Sequence, residues 1–422
     1  MPAVKIEVPE KIQRIMEIME GKGYEVCAVG GCVRDSLLGR PIHDWDLCTS
    51  AQPDETEGVF AQAGLSTIPT GKKHGTITVL WNKEPIEITT YRIDGTYTDS
   101  RRPDSVTFTR TLAEDLSRRD FTINAMACGR DGQVIDLFDG QRDLAEKRVR
   151  CVGDPRMRFE EDALRILRAL RFAARLDFRL EEKTAKAVME GKERLSLISP
   201  ERIWSELSGL LSGEYAGAMV GEFYPVLCAA LGIEAGDRES WTAASTGFEI
   251  PRPSGWTDWA FMTARFSLLL WQGAFSGAPG GGEQARNLCV ALRTDKASRS
   301  RVSLLVEQAA MQPPETVPQL RRWMADLGPE AVSQLIFLWE AGGVVTPEAA
   351  EGLRAQEAEI LRRGDCISIG QLAVGGKELR EAGISAGPEL GRILRGLLDA
   401  VMEEAVPNEA EALLQWAVQK IR

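Results

Sequence analysis

The stretch that most limits what this chain can become is Val29-Gly30-Gly31-Cys32-Val33-Arg34-Asp35, followed shortly by His43-Asp44-Trp45-Asp46-Leu47. Two glycines close a short apolar strand and open a helix, and Arg34 falls in the first turn of that helix. Glycines at such a turn let backbone N–H groups come close to a phosphate, and the start of a helix favours its negative charge. A second strand, predicted over 44–49, carries Asp44 and Asp46. Side chains two apart on a strand share a face, so the pair can share a metal ion. Taken separately, each half also reads as an ordinary glycine turn and a solvated Asp-x-Asp turn. Together, in this order and this close, they supply a triphosphate cradle beside a carboxylate pair, the minimum equipment for metal-assisted nucleotidyl transfer.

The flanking pattern predicts an α+β region. Ile12, Ile15, Met16 and Met19 have helical spacing, and strands are expected over 25–29, 76–81 and 86–91, with helices over 31–38 and near 53–63. A mixed sheet of about five strands with flanking helices accounts for this. On the strand at 86–91, Ile86, Ile88 and Thr90 share one side and Glu87 and Thr89 the other. Glu87 is then an ordinary exposed strand residue, or a third carboxylate if its strand neighbours that of the aspartates. Residues 94–104 are polar and without period and read as a mobile loop, placed to act as a lever on the pocket. In Leu116–Ala127, Ile123 and Met126 suit a helix packed on the sheet, with Arg118 and Arg119 at its N-terminal end.

Beyond about residue 150 the chain reads as helical. Over 158–175, Leu164, Leu167, Leu170 and Ala174 form an apolar face, and Asp162, Arg165, Arg168 and Arg171 recur every third residue as a slanted row. Asp162 and Arg165 offer the acceptor and donors to read a base edge, and Arg168 and Arg171 can hold phosphates. A salt-bridged solvated face is the alternative. The tryptophans from Trp241 onward are expected in the core, and 276–282 as a flexible link.

The net charge of −11 opposes indiscriminate nucleic-acid binding, whereas the arginines clustered over 148–179 leave room for a local basic track. The eight cysteines form no C-x-x-C pair, and His43 and His74 are too few for a histidine-built metal centre. No apolar run reaches membrane-span length, and the N-terminus lacks a signal peptide's apolar core, so the cytoplasm is the expected compartment.

As an ordered set, these segments resemble the class II bacterial CCA-adding tRNA nucleotidyltransferases, within the wider DNA polymerase β-like nucleotidyltransferase group. The resemblance is carried by Gly30–Asp35 with Asp44-x-Asp46, by Thr70-Gly71-Lys72-Lys73-His74-Gly75-Thr76, and by Glu87–Arg92. It continues through Arg118–Ala127, Glu161-Asp162-Ala163-Leu164-Arg165 with Arg168 and Arg171, Glu201-Arg202-Ile203-Trp204, and the tail's glycine-rich turn with Pro407-Asn408-Glu409. It is dense over about 25–210 and thin over about 215–365. One departure is Arg101-Arg102-Pro103-Asp104, where Arg-His-Pro-Asp is expected.

The resemblance implies a nucleotidyltransferase head (1–150), then an all-α neck that selects the base (151–214), a body (215–364) and a tRNA-binding tail (365–422). It implies addition of C, C and A to a tRNA 3′ end from CTP and ATP, with Mg²⁺ as cofactor and the tRNA acceptor/TΨC region as partner. Asp44 and Asp46 correspond to metal ligands and catalytic residues, with Glu87 as a third catalytic carboxylate. Gly30, Gly31, Arg34, Arg118, Arg119, Asp162, Arg165, Arg168 and Arg171 correspond to nucleotide contacts. The rival activities are an A-only tRNA nucleotidyltransferase, a poly(A) polymerase, and a catalytically inactive RNA-binding protein.

Overall fold

The computed structural model describes residues 5–95, 106–275 and 280–421. Most of the expected lever loop and of the expected link at 276–282 lie outside the described residues. The chain forms two compact units, Met1–Ala235 and Gly236–Arg422.

The first unit begins with α1 (Glu10–Glu20), whose apolar stripe is wholly buried and packs on β1 (Val26–Val29). There follow α2 (Gly31–Leu37), β2 (Leu47–Thr49), α3 (Pro53–Gln62), β3 (Ser66–Gly71), β4 (Thr76–Trp81) and β5 (Glu84–Thr90). A ribbon of β6 (Arg92–Asp94) and β7 (Val106–Phe108) leads to α4 (Leu112–Ser117), β8 (Met126–Cys128), β9 (Val134–Asp136) and α5 (Gly140–Ala145). After β10 (Arg148–Val149) come α6 (Pro155–Glu161), α7 (Leu164–Leu176), β11 (Arg179–Leu180), α8 (Glu182–Gly191) and α9 (Pro200–Leu211).

Seven strands form one sheet in the order β3-β4-β5-β2-β1-β8-β9, with β2 and β5 parallel and every other neighbouring pair antiparallel. The sheet is mixed, as expected, and larger than the roughly five strands read from alternation. The strands not anticipated are β3, a largely exposed edge strand containing Pro69, and β8 and β9, each too short for alternation to show. Central β1 is buried along its whole length, which explains its unbroken apolar Val-Cys-Ala-Val.

Three local expectations are corrected. The second strand starts at Leu47, so Asp44 and Asp46 precede it rather than lie on it. No helix covers 116–127: α4 ends at Ser117, Phe121 is extended, and a single 3₁₀ turn at Thr122–Asn124 leads into β8. The Phe121-Thr122-Ile123 run favours extended backbone, and Asp120 accepts the Phe121 N–H at 2.8 Å, offering the backbone a local alternative to helix. The helix over 158–175 is broken at Asp162, which is extended (φ −144°, ψ 103°) and accepts the Leu164 N–H at 3.1 Å.

The second unit is helical. Of the tryptophans expected in the core, Trp241, Trp271 and Trp339 are buried, whereas Trp256, Trp259 and Trp323 are only partly so. Its last segment packs around Leu379, Leu397, Leu413 and Ala417. Buried Arg321 ties that segment to the helix Val317–Leu327, donating to Asp365 and Glu404 at 2.8 Å each and to the Met402 carbonyl at 3.1 Å. Among the described residues no helix is long and apolar enough to cross a membrane.

Candidate active site

The acidic residues meet at the edge of the sheet. The Asp46 carbonyl accepts the Val29 N–H at 3.0 Å, which keeps the Asp44–Asp46 segment alongside β1 just before β2 begins. Strands β2 and β5 run parallel with Leu47 opposite Ile88, so one step earlier Asp46 lies beside Glu87. Asp44, Asp46 and Glu87 are all exposed, while Ile86, Ile88 and Thr90 are buried, as the alternation predicted. The Asp46 carboxyl is raised above its usual range, first by loss of solvent and then by the charge of Glu87; Arg119 opposes this and Asp44 adds to it. The side chain is thus open to solvent on one side and crowded by protein and like charge on the other. Among the described residues no three His, Cys, Asp or Glu side chains converge tightly enough to hold a metal ion.

Gly30 joins this edge to the arginines. It has φ +81°, and a Cβ there would lie 3.1 Å from Arg119 Nη1, so both the backbone and the neighbouring guanidinium exclude a side chain. Arg119 donates Nη2 to fully buried Asp115 at 3.2 Å, and Arg118 donates Nε and Nη2 to the same carboxylate at 3.0 and 2.7 Å. The Arg119 Nε is buried with no partner among the described residues. Both arginines follow the C-terminal end of α4, not the start of a helix. Gly31 sits at the start of α2, where a Cβ would be 3.7 Å from Arg34 Nη2.

From α2 a chain of polar side chains runs to α7. Arg34 grips Asp35 with Nε and Nη2 at 2.9 and 2.8 Å and donates Nη1 to Asn124 at 2.7 Å. Asn124 donates to Asp120 at 3.3 Å, and Arg168 donates Nε and Nη2 to the far oxygen of Asp120 at 2.8 and 2.7 Å. Arg168 also faces Glu206 at 3.7 Å, and Arg171 donates to Glu206 at 2.5 Å. Phe172 lies beneath three guanidinium groups, with ring-centre distances of 5.2 Å to Arg34, 5.5 Å to Arg168 and 4.5 Å to Arg171. Burial pushes the Asp120 carboxyl up, but Arg168, with Arg165 and the Phe121 N–H, more than reverses this and holds it at about 2. Asp120 in turn raises Arg168, while loss of solvent lowers Arg171.

The base-reading candidates Asp162 and Arg165 are already engaged. Asp162 accepts from Arg202 at 2.9 Å, and buried Arg165 donates to Glu161 at 2.7 Å and to the Arg118 carbonyl at 3.2 Å. Arg165, Arg168 and Arg171 therefore share α7, with Arg168 and Arg171 meeting at Glu206 and Arg165 turned to Glu161, and Asp162 belongs to the break before it. Sequence reasoning assigned no role to Asp115, Asp120, Asn124, Phe172 or Glu206. Asp120 and Asn124 stood within a quoted motif, four apart, yet only the 3₁₀ turn puts them on one carboxylate–amide pair.

The head sequence falls in a known class. Residues 26–150 match the family profile described as "Poly A polymerase head domain", residues 177–222 match "Probable RNA and SrmB- binding site of polymerase A", and residues 280–417 match a tRNA nucleotidyltransferase domain 2. The first of these assigns the mixed-sheet unit to the nucleotidyltransferases. A CCA-adding enzyme of Leuconostoc citreum is 37% identical over 97% of this chain and 96% of its own, and one of Levilactobacillus brevis is 36% identical over 96% of each. The solved CCA-adding enzyme of Bacillus stearothermophilus, in complex with CTP, superposes with a TM-score of 0.78 at 30% identity, covering 98% of this chain and 97% of its own. The chain belongs to the CCA-adding enzyme family.

Proposed function

We propose that this chain adds C, C and A in turn to the 3′ end of tRNA, from CTP and ATP and without a nucleic-acid template, releasing pyrophosphate. The observation that carries the residue roles is the continuous link from the acidic edge, through Arg119 and the Gly30 turn, to Arg34, Asn124, Asp120 and the arginines of α7. Gly30 and Gly31 leave room for the triphosphate, and Arg34, Arg118 and Arg119 supply its counter-charge. Arg119 lies near enough to Asp46 to lower its carboxyl, which supports a place for the triphosphate between them.

Asp44 and Asp46 would hold Mg²⁺. Their hard oxygen donors suit it, and the repulsion that raises Asp46 is of the kind a cation relieves. When bound, the ion activates the terminal ribose hydroxyl and neutralises the leaving phosphate oxygen. Glu87 adds a third negative charge at this edge. Asp162 and Arg165 present an acceptor and donors that suit an amino group next to an acceptor, which C and A share and U and G do not. Arg168 and Arg171 hold the nucleotide along α7. In this reading the head is 1–150, the neck 151–214, the body 215–364 and the tail, which grips tRNA, 365–422. Eight buried free thiols support a cytoplasmic enzyme.

The test is incubation with tRNA lacking its CCA end and each nucleotide alone, then together, with products sized. Two additions with CTP alone and three with CTP plus ATP are expected. Growth with ATP alone, or no growth on any mixture, would overturn the reading.

A further inference from the structure

A cavity of about 550 Å³ opens beside Arg34. Arg34 and Arg171 line it, and so do Arg40, His43 and Arg175, none of the last three having a role in the reading above. Its acids are Asp35, which Arg34 grips in a fork, and Glu214. Arg171 is matched by Glu206. Arg40 and Arg175 are exposed, and among the described residues neither has an ion-pair partner. Arg40 instead donates Nη1 to the Arg175 backbone carbonyl at 3.1 Å, a contact that brings the Arg40 guanidinium to the end of α7 without cancelling its charge. Loss of solvent lowers Arg171 first, against the pull of Glu206, and the nearby charges of Arg168 and Arg175 add to the lowering.

A cavity with four guanidinium groups and two acids, one of them already spent on Arg34, is built for an anion with several oxygens. Arg34 supplies continuity, because it faces both this cavity and the Gly30–Gly31 turn. We infer that the cavity is a phosphate seat in which Arg40 and Arg175 bind phosphate oxygens beyond those held by Arg34. Two sources share that chemistry: the β- and γ-phosphates that leave as pyrophosphate, and the terminal phosphodiesters of the RNA. This inference rests on the nucleotidyl-transfer reading.

The experiment uses the full chain, Arg175→Ala, Arg40→Ala, the double variant and Arg175→Glu, with thermal melting as a check on folding. KM for CTP, KM for tRNA ending before the first C, and product inhibition by inorganic pyrophosphate are measured for each. An exposed charge contact allows about three- to fivefold per arginine and roughly tenfold or more for the double variant and for charge reversal. If pyrophosphate is the occupant, its inhibition constant and the KM for CTP rise while the KM for tRNA stays. If RNA phosphates are, the KM for tRNA rises and its salt dependence flattens by about one contact. All three constants within twofold of wild type in the folded double variant would overturn the seat. Wild-type protein that adds no nucleotide would instead sink the underlying reading.

Discussion

Replacing Asp120 with Asn tests whether the link between the sheet and α7 is electrostatic. In the folded chain the carboxyl is held at about 2 against an ordinary value of 3.8. Burial alone would have raised it, so the attraction of Arg168, joined by Arg165 and the Phe121 N–H, exceeds the cost of desolvation. A carboxyl whose folded value is depressed contributes stability that is present above its unfolded value and lost as the pH falls through the folded one. The difference corresponds to roughly 2–3 kcal/mol at neutral pH. Asp120→Asn removes that contribution and leaves Arg168 with Glu206 at 3.7 Å. Breaking a buried pair costs about 3–5 kcal/mol, but Arg168 is one-third exposed and can rehydrate, so about 2–3 kcal/mol is expected. Urea unfolding of both proteins at pH 7, 5 and 3 measures this. The gap should be constant from pH 7 to 5 and about halved at pH 3, where the unfolded wild-type carboxyl is largely protonated. A gap below about 1 kcal/mol at pH 7, or one unchanged at pH 3, would refute the electrostatic account.

Asp44→Ala and Asp46→Ala should each abolish nucleotide addition with stability within about 0.5 kcal/mol of wild type, since both side chains are exposed; a tenth of wild-type activity in either sinks their assignment. Asp162→Ala should lower discrimination against UTP and GTP by about 1–3 kcal/mol, read from single-nucleotide rates, and unchanged rate ratios would leave Asp162 a cap and ion-pair partner only. Glu357 is buried, and loss of solvent lifts its carboxyl to about 7 despite Arg354, so its protonated form is favoured in the folded chain. That contribution is full below about 4.5 and is lost as pH rises through 7. Glu357→Gln should therefore stabilise the protein by about 2–3 kcal/mol at pH 8 and hardly at all at pH 4.5, and equal effects at both pH values in denaturant titrations would contradict the burial account.

Periodicity located what periodicity can encode. The stripe Ile12, Ile15, Met16 and Met19 and the alternation Ile86, Ile88 and Thr90 are buried as expected, because one side chain in two or in three to four must face the core. It failed where a local polar side chain decides the backbone. Asp162 looks like one member of an i,i+3 row, yet its carboxylate captures the Leu164 N–H and ends the helix the row assumed. Asp120 does the same to the Phe121 N–H, and a predicted helix becomes a turn and a strand paired on both sides. The pairing of Asp46 with Glu87 depends on β2 and β5 being parallel neighbours, a fact of topology separated by some forty residues of chain and invisible to any window.

The partners of Asp162 and Arg165 bear on how a base would be chosen in the proposed reading. Asp162 is held by Arg202, and Arg165 by Glu161 and the Arg118 carbonyl, so neither group waits unpaired. In that reading a base that enters would compete with those partners. The exchange is nearly neutral when every lost hydrogen bond is replaced, and costs a buried unsatisfied group when one is not, about 1–3 kcal/mol each. C and A can offer Asp162 an amino group and Arg165 an acceptor together; U and G present a carbonyl where the amino group is needed and leave Asp162 facing a lone pair. Discrimination would then come less from the strength of the contacts to the right base than from the protein partners that a wrong base displaces and cannot replace.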